Sequence, residues 1–431
     1  MSDYRTVRGM RDFLPEEAEM MKYIEGKARK IAQLYGYREI ITPVLETYQL
    51  LAAKTGEEIR SRMYTFKDLG GRKVALRPEF TASVARLVAN TLKTEPKPLR
   101  LFCVGSLYRY DEPQQGRFRE FWQSNYELMG STEPEADVEI VMLTNRLMKA
   151  VGLKKVSFKM GHVGVLTGIL NQEGIEEETQ NRIMHLMDKK QVTDALHLVE
   201  ESEASEKCLK TLQQLVEIKG ENPVEACHRM KDQVEGYRSA GRAVDNLQEI
   251  IHLLSESGEE IDMRVEAGFA RGLEYYTGII FEVYIPQLDI ALGGGGRYDK
   301  LIESFGGKPT PAVGVAHGID RIMLAIQRQK RPRKEDKKGM IAVIPIEERL
   351  REEALRISQM LRDAGIPVKT QVMGRKLTNA LADANRRDTD YAIIIGDREL
   401  KKKSVVIRDL DRREQRTVKI KKLIEIIKSL R

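Results

Sequence analysis

The sequence predicts an α+β protein of at least two domains, and three observations support this prediction. The chain has 431 residues, about three times the ~150 residues of a typical domain. Helix and strand patterns are mixed in residues 1–160, whereas residues 161–260 have helical periodicity almost throughout. Beyond residue 340, strands alternate with helices at the spacing of a compact α/β domain with a largely parallel sheet.

The first 160 residues begin with an amphipathic helix that follows Asp12 and Pro15, two residues typical of a helix start. Its apolar face is formed by Met21, Ile24, Ala28, Ile31 and Tyr35. The pattern then predicts strands at 38–42 and 73–76, a helix near 80–92, and strands at 99–110 and 118–129 joined by the polar loop DEPQQGR.

Residues 161–260 interrupt this mixed pattern and are strongly acidic, with 10 basic and 20 acidic side chains from 171 to 260. We therefore expect an inserted helical domain. Afterwards the pattern predicts an alternating strand at 279–285, a glycine run at 293–296, a short strand and a helix near 318–329. A charged linker, KRPRKEDKKG at 330–339, precedes the C-terminal α/β domain.

The charge is distributed unevenly along the chain. Residues 331–431 contain 27 Lys and Arg against 16 Asp and Glu, a net charge of +11, whereas residues 1–330 have a net charge of −4. A basic domain beside a nearly neutral body indicates a polyanionic partner that is contacted mainly at one end. A lysine-rich solvated surface explains the same composition equally well.

Several classes of protein are excluded. Three cysteines without a C-x-x-C pair argue against a disulfide scaffold or a thiolate zinc site. The N-terminus has no apolar signal region, and no apolar run approaches the ~20 residues of a membrane span, so we expect a soluble cytoplasmic chain. P-loop and G-x-G-x-x-G motifs are missing, and the six histidines lack metal-ligand spacing, so we expect no protein-bound metal.

The second strand of the pair around residue 110 carries unusual polar side chains. Alternation places Phe121, Gln123, Asn125 and Glu127 on one face. Such a face either is exposed to solvent or lines a polar pocket. The first strand and the loop supply five charged side chains, Arg109, Asp111, Glu112, Arg117 and Arg119. The arginines among them suit an anion with several oxygens, because a guanidinium binds phosphate in a bidentate manner. An exposed hairpin with solvated charges is the alternative.

Two further segments combine glycine, arginine and tyrosine. ARGLEYYTG contains Arg271, Glu274, Tyr275 and Tyr276, and is otherwise typical of a strand entry. LGGGGRYDKL either is a flexible turn or brings backbone close to a ligand. In GVAHGIDRIMLAI, Arg321 falls in the first turn of a helix, where anions are favoured, although a surface arginine explains the pattern too.

In this order, the motifs resemble those of class II aminoacyl-tRNA synthetases, most closely the histidyl-specific family. GYREIITPVLE with Pro43 is similar to motif 1, LYRYDEPQQGRFREFWQSNYELMG with Arg109 to motif 2, and GVAHGIDR with Arg321 to motif 3. RGLEYYTG and GGGRYDKL are similar to the two histidine-specific signatures, and LRPEFTASVAR is a further match. The resemblance covers essentially the whole chain.

The resemblance implies a catalytic domain at 1–160 and 261–329 with an antiparallel sheet flanked by helices. It further implies a helical insertion at 161–260, the linker at 330–339 and an anticodon-binding domain at 340–431. The implied activity joins L-histidine to tRNA(His) through a histidyl-adenylate. ATP is then a substrate bound with Mg²⁺, and the protein is a homodimer.

The resemblance also implies the roles of individual residues. Arg109 and Arg271 are the expected catalytic residues, and the latter replaces a metal ion near the α-phosphate. Histidine binding is implied for Glu79, Thr81, Arg109, Gln123, Glu127, Arg271, Tyr275, Tyr276 and Tyr298. ATP binding is implied for Arg109, Asp111, Arg117 and Arg321, with the last of these at the γ-phosphate.

Two positions depart from the family's usual residues: Asp111 stands where the bacterial form has Glu, and Glu274 stands where the first histidine signature often has Asp. Asp111 with the RFREF loop is more similar to the archaeal or eukaryotic branch. Three alternatives remain at this point: a non-catalytic paralogue that acts as a regulator, a tRNA- or RNA-binding module, and another class II synthetase.

Overall fold

The computed structural model describes residues 4–271, 273–329, 340–387 and 389–430. The chain divides into two compact units at residue 331. The predicted linker at 330–339 lies outside the described residues. Among the helices that the structure describes, none is long and apolar enough to cross a membrane.

The strands of the first unit form a nine-stranded sheet and a three-stranded sheet. In chain order they are β1 Arg38–Glu39, β2 Leu45–Thr47, β3 Thr65–Lys67, β4 Lys73–Leu76, β5 Leu99–Tyr108, β6 Glu120–Met129, β7 Ser157–His162, β8 Lys219–Gly220, β9 Asp262–Glu266, β10 Ile279–Ile285, β11 Leu288–Arg297 and β12 Ala312–Gly318. The large sheet has the order β1-β5-β6-β12-β11-β10-β7-β9-β8. Its pairings are antiparallel except for β1 with β5 and β7 with β9, which confirms the predicted α+β class.

Helices flank this sheet and fill the segment between β7 and β9. In chain order they are α1 Pro15–Leu34, α2 Tyr48–Ala52, α3 Glu57–Ser61, α4 Thr81–Asn90, α5 Pro134–Ala150, α6 Val163–Gln172, α7 Glu177–Asp188, α8 Val192–Glu201, α9 Glu206–Val216, α10 Pro223–Gln233, α11 Arg238–Glu256, α12 Leu301–Ser304 and α13 Ile319–Arg328. The helical periodicity of residues 161–260 thus corresponds to α6 through α11. One feature was not predicted there: the two-residue strand β8 adds this segment to the edge of the large sheet.

Alternation along the two central strands determines which side of the large sheet holds the polar residues. On β5, Phe102 packs into the core that includes α1 and α5, whereas Leu101 and Cys103 pack on the opposite side with α4 and α12. On β6, Tyr126 faces the first core. Asn125 therefore lies on the second side, as do the other polar residues two positions apart along β6.

The second unit has a five-stranded sheet with the order β14-β13-β15-β16-β17. Its elements are β13 Ile341–Pro345, a 3₁₀ turn at Glu348–Leu350, α14 Arg351–Asp363, β14 Val368–Thr370, α15 Leu377–Arg386, β15 Tyr391–Ile395, α16 Asp397–Lys401, β16 Ser404–Asp409, β17 Gln415–Lys419, a 3₁₀ turn at Ile420–Lys422 and α17 Leu423–Ser429. Only β13 is paired in parallel, with β14 and with β15.

The prediction of a largely parallel sheet is therefore wrong for the last strands, because β15, β16 and β17 pair antiparallel. A parallel connection needs a crossover of a dozen or more residues. The segments after β15 and after β16 are shorter than that, and the second turns through Arg413, whose φ is 60°.

Candidate active site

The twelve residues to which the resemblance assigns histidine or ATP binding line one cavity of about 460 Å³ on the α4 side of the large sheet. They are Glu79, Thr81, Arg109, Asp111, Arg117, Gln123, Glu127, Arg271, Tyr275, Tyr276, Tyr298 and Arg321. The two long strands β5 and β6 are therefore not a solvated hairpin. They lie inside the sheet, and Asn125 and Glu127 are buried.

Glu127 is a buried carboxylate held by two hydroxyl groups. Its Oε1 accepts a 2.7 Å hydrogen bond from Thr81 Oγ1, and its Oε2 accepts a hydrogen bond from the Tyr298 hydroxyl. Burial raises the pKa of Glu127 to about 7, although both hydroxyl hydrogen bonds act in the opposite direction. A buried carboxyl group with a raised pKa therefore lines the cavity.

A second buried carboxylate, Glu79, stands in the turn between β4 and α4. Its Oε2 accepts a 3.1 Å hydrogen bond from the Tyr275 hydroxyl, whereas its Oε1 has no hydrogen-bond partner among the residues that the structure describes. Burial raises the pKa of Glu79, opposed by Arg109. Asn125 Oδ1 is also buried and unpaired within the described ranges. These two acceptor atoms are suited to a ligand that carries N–H donors.

The glycine run forms part of strand β11 rather than a flexible turn. An added Cβ at Gly294 would overlap Arg271 Nη1, and one at Gly314 of the neighbouring strand would overlap Glu127 Oε2. Glycine is therefore needed here because charged side chains lie directly over the backbone. The flexible-turn alternative is therefore excluded, and an approach of this backbone to a ligand stays a prediction.

Three arginines are fixed by backbone carbonyl groups. Arg109 Nε donates to Pro78 at 3.0 Å, Arg271 Nη1 donates to Phe281 at 3.2 Å, and Arg321 Nη1 donates to Ala291 at 2.8 Å. Carbonyl oxygens are neutral acceptors, so these contacts orient the guanidinium groups without cancelling their charges.

Positive charge consequently accumulates at one end of the cavity. Burial, together with the nearby guanidinium groups of Arg117, Arg109 and Arg271, lowers the pKa of Arg321 to about 10. The carboxylate of Glu282 also lines the cavity. Burial alone would raise the pKa of Glu282, but the positive charges of Arg271 and Lys159 outweigh this effect, so its pKa is lower than the ordinary value. This end of the cavity is suited to a ligand with several negative charges.

The charged residues proposed around the loop after β5 do not all reach the cavity. Asp111 does, and it accepts a 3.0 Å hydrogen bond from Arg62 Nη1. Arg119 instead stacks over the Tyr110 ring at 3.6 Å, and Glu112 pairs at 2.8 Å with Arg8 on the surface. Neither residue lines the cavity, so a role of Arg119 in binding an anion there has no support from the structure.

Sequence reasoning missed several residues that line the cavity. Glu282 could have been predicted, because it is the one charged residue of the otherwise apolar and aromatic strand β10 and lies on the face opposite to Phe281 and Val283. Asp188 and Lys189, at the end of α7, could not. They reach the cavity because the helical segment folds against α3, where Lys189 Nζ lies 4.0 Å from Glu58 Oε2. Because this contact joins segments that are far apart in the chain, no periodicity of the sequence predicts it.

An antiparallel sheet with this cavity on one face is the catalytic fold of a class II aminoacyl-tRNA synthetase. Residues 9–322 match the family model described as histidyl-tRNA synthetase, and residues 340–430 match the model described as anticodon binding domain. The chain therefore belongs to the histidyl-tRNA synthetase family.

Individual relatives agree with this assignment. The chain is 40% identical to a histidine–tRNA ligase of Methanocaldococcus jannaschii, over 97% of this chain and 98% of the relative. A crystal structure from Bacillus halodurans, described as an ATP phosphoribosyltransferase regulatory subunit/histidyl-tRNA synthetase, is 26% identical with a TM-score of 0.77 and covers 91% of this chain and 98% of its own. The histidyl-tRNA synthetase of a Nostoc species has the same fold, with a TM-score of 0.81 at 21% identity, over 100% of both chains.

Proposed function

We propose that this chain joins L-histidine to the 3′ end of tRNA(His) in two steps, with ATP as the second substrate. One observation carries the proposal. A single cavity is lined by the oriented arginines and by two buried carboxylates, Glu79 and Glu127, and Arg109 and Arg271 lie near enough to Glu79 to oppose the rise in its pKa. The arginines are suited to a triphosphate, and the carboxylates to an amino acid with N–H groups at both its amine and its side chain.

In the first step, a carboxylate oxygen of histidine attacks the α-phosphorus of ATP. A new O–P bond forms, the bond to the β-phosphate oxygen breaks, and pyrophosphate leaves. Negative charge grows at the α-phosphate, so Arg109 and Arg271, already oriented by backbone carbonyls, lower the barrier there. Arg117 and Arg321 hold the outer phosphates, and Asp111 orients the nucleotide side of the cavity through its pair with Arg62.

Histidine is bound at the carboxylate end of the cavity. The unpaired Oε1 of Glu79 accepts from the ammonium group, with Thr81 and Gln123 beside it. Glu127 accepts the N–H of the imidazole ring, and Tyr276 donates to its other nitrogen. Tyr275 and Tyr298 close this part of the site, their rings 5.7 Å apart. A site that pairs both ring nitrogens leaves groups unpaired with other amino acids, which gives selectivity on the order of 10⁴.

In the second step, a hydroxyl of the 3′-terminal ribose attacks the carbonyl carbon of the histidyl-adenylate, and AMP leaves. We assign residues 340–431, within the basic part of the chain, to anticodon binding, 161–260 to a helical insertion, and 1–160 with 261–329 to catalysis. Phosphate contacts by the basic domain would orient the tRNA, and base contacts would specify it. Because tRNA is charged for translation, we expect the reaction in the cytoplasm.

ATP enters as its Mg²⁺ complex, and the cavity is compatible with that form. Within the ranges that the structure covers, no group of three or more His, Cys, Asp or Glu side chains could hold a metal ion. Mg²⁺ in nucleotide sites is held mainly by phosphate oxygens and water, with one or two carboxylates at most. Arg271 provides the fixed positive charge near the α-phosphate.

We further propose that the active form is a homodimer. Large apolar side chains around β2 and β3 are exposed, among them Ile41, which is 93% exposed, together with Val44, Leu45, Phe66 and Leu69. Large exposed apolar side chains in one part of the chain are typical of a protein interface. Ile41→Asp should shift the protein from dimer to monomer in sedimentation equilibrium, whereas Leu355→Asp, an exposed apolar position in the second unit, should not.

The proposal is tested by aminoacylation of tRNA transcripts with radiolabelled histidine. We expect charging of tRNA(His) and no charging of a tRNA with another anticodon and acceptor end. Tight tRNA binding without any charging would instead support a non-catalytic regulator, a role that the Bacillus halodurans protein carries in its description. That alternative is disfavoured here because Arg109, Arg271 and Arg321 are all present in the cavity.

A further inference from the structure

The segment before α1 lies against the loop that joins β5 to β6. The carbonyl of Gly9 accepts a 3.0 Å hydrogen bond from the backbone N–H of Arg119. Gly9 has a φ of +85°, and an added Cβ would lie 2.6 Å from Arg119 Cγ. Only glycine fits this contact, which fixes the N-terminal segment to the base of the loop.

Two residues after Gly9, the Arg11 side chain reaches toward the cavity wall. Its guanidinium lies 3.4 Å from the centre of the Phe118 ring and 4.5 Å from that of Phe13. It also forms an ion pair with Asp320, whose side chain is only 3% exposed. A planar guanidinium can stack face-on against an aromatic ring while its N–H groups bind a carboxylate, whereas a lysine ammonium has no planar face to stack.

The partners of Arg11 are themselves part of the cavity. Phe118, Trp122 and Asp320 all line it. The second carboxylate oxygen of Asp320 accepts a 2.7 Å hydrogen bond from the backbone N–H of Trp122, and the Phe13 ring packs edge-on against the Trp122 ring at 5.2 Å. Arg11 therefore connects the loop, the start of β6 and the first turn of α13.

We propose that Arg11, outside the motifs assigned to catalysis, is a positioning residue for the nucleotide end of the cavity. It holds Phe118 and Asp320, and through Asp320 the helix start that carries Arg321. This inference rests on the proposed function, since it assigns ATP to that end. The carboxylates Glu79 and Glu127 are held by Tyr275, Thr81 and Tyr298 instead, so loss of Arg11 should affect ATP and spare histidine.

The kinetic test compares Arg11→Ala and Arg11→Lys with the wild-type chain in ATP–pyrophosphate exchange. We expect Arg11→Ala to raise the KM for ATP about tenfold, with the KM for histidine changed less than about twofold. Arg11→Lys keeps the charge near Asp320 but loses the planar stacking, so its KM for ATP should lie between the values of wild type and Arg11→Ala. Arg8→Ala is the matched control, because its ion pair with Glu112 is exposed and should contribute little.

A second readout does not depend on turnover. Trp122 is the single tryptophan of the chain, so intrinsic fluorescence reports directly on this wall of the cavity. Titration with Mg²⁺–ATP should give a dissociation constant about tenfold weaker for Arg11→Ala than for wild type. In Phe118→Ala, the further substitution of Arg11 should weaken ATP binding less than it does alone, because the two side chains act as a pair.

Two results would overturn the inference. The first is an unchanged KM and dissociation constant for ATP in Arg11→Ala. The second is an equal increase in the KM values for ATP and histidine, which would indicate a general structural role. If the wild-type chain itself shows no exchange with histidine, the proposed function fails, and the fluorescence titration still decides whether Arg11 supports nucleotide binding.

Discussion

The hydroxyl of Thr81 donates a 2.7 Å hydrogen bond to the carboxylate of Glu127, and this contact joins the first turn of α4 to the last residues of β6. Both residues are buried. The contact shows how a short helix and a long strand, distant in the chain, form one binding surface. It also means that Glu127 is oriented before any ligand arrives, so little ordering is required on binding.

Glu127→Gln should weaken histidine binding most at high pH. Burial raises the pKa of Glu127 to about 7, so its ionised form, the better acceptor for the imidazole N–H, predominates only above that value. We expect the ratio of the histidine KM of the variant to that of wild type to increase from about pH 6 to about pH 8. At the upper end it should reach about 10- to 100-fold. Titration of the substrate itself cancels in this ratio, and a ratio independent of pH would contradict the role of Glu127.

Relative to wild type, Glu127→Gln should become more stable as pH rises, although its histidine binding becomes relatively weaker. The pKa of Glu127 is higher in the folded protein than its ordinary value of 4.5, so the folded state holds this proton more tightly. Stability is therefore lost as pH rises from the ordinary value toward about 7. In thermal melts across this range, the Tm of Glu127→Gln should increase relative to the Tm of wild type as pH rises. A constant difference in Tm would show that Glu127 ionises normally.

Arg271→Ala should abolish adenylate formation and leave tRNA binding intact. Its guanidinium is oriented by the carbonyl of Phe281, and we propose that it acts where negative charge develops. Loss of one such group costs about 10²- to 10³-fold in kcat. ATP–pyrophosphate exchange measures the first effect, and filter binding of tRNA measures the second. Arg264→Ala, at an exposed arginine of β9, is the matched control. Exchange at the wild-type rate in Arg271→Ala would exclude the assigned role.

Two glycine substitutions should damage opposite ends of the cavity. Gly294→Ala forces Arg271 away from the strand and should lower kcat, whereas Gly314→Ala forces Glu127 aside and should raise the KM for histidine. Gly26→Ala in α1 is the control, because an added Cβ there meets nothing within 4 Å. In a helix this change is expected to stabilise the fold by about 1 kcal/mol. Equal kinetic effects of Gly294→Ala and Gly314→Ala would contradict the division of the cavity into two ends.

Deletion of residues 331–431 should reduce the salt dependence of tRNA binding. This part of the chain has a net charge of +11, and each phosphate that it neutralises contributes to the slope of log K against log salt. We expect a clearly flatter slope for residues 1–330, measured by filter binding at several salt concentrations. An identical slope would mean that the basic residues are only a solvated surface.

The sequence is most informative where a residue's role depends on its own strand or helix. Alternation along β6 is enough to predict that Gln123, Asn125 and Glu127 share one face, and the cavity lies on that face. The sequence is least informative where two distant segments meet. Nothing in it links Arg11 to Phe118, or Lys189 to Glu58, because such contacts follow from packing rather than from periodicity.

The most direct test of the proposed function is ATP–pyrophosphate exchange measured separately with each of the twenty amino acids. The cavity contains oriented arginines and two buried carboxylates, which we propose bind the amine and the ring of histidine. We predict exchange with histidine and none above background with the others. Exchange with a different amino acid, or no exchange with any, would contradict the proposed function.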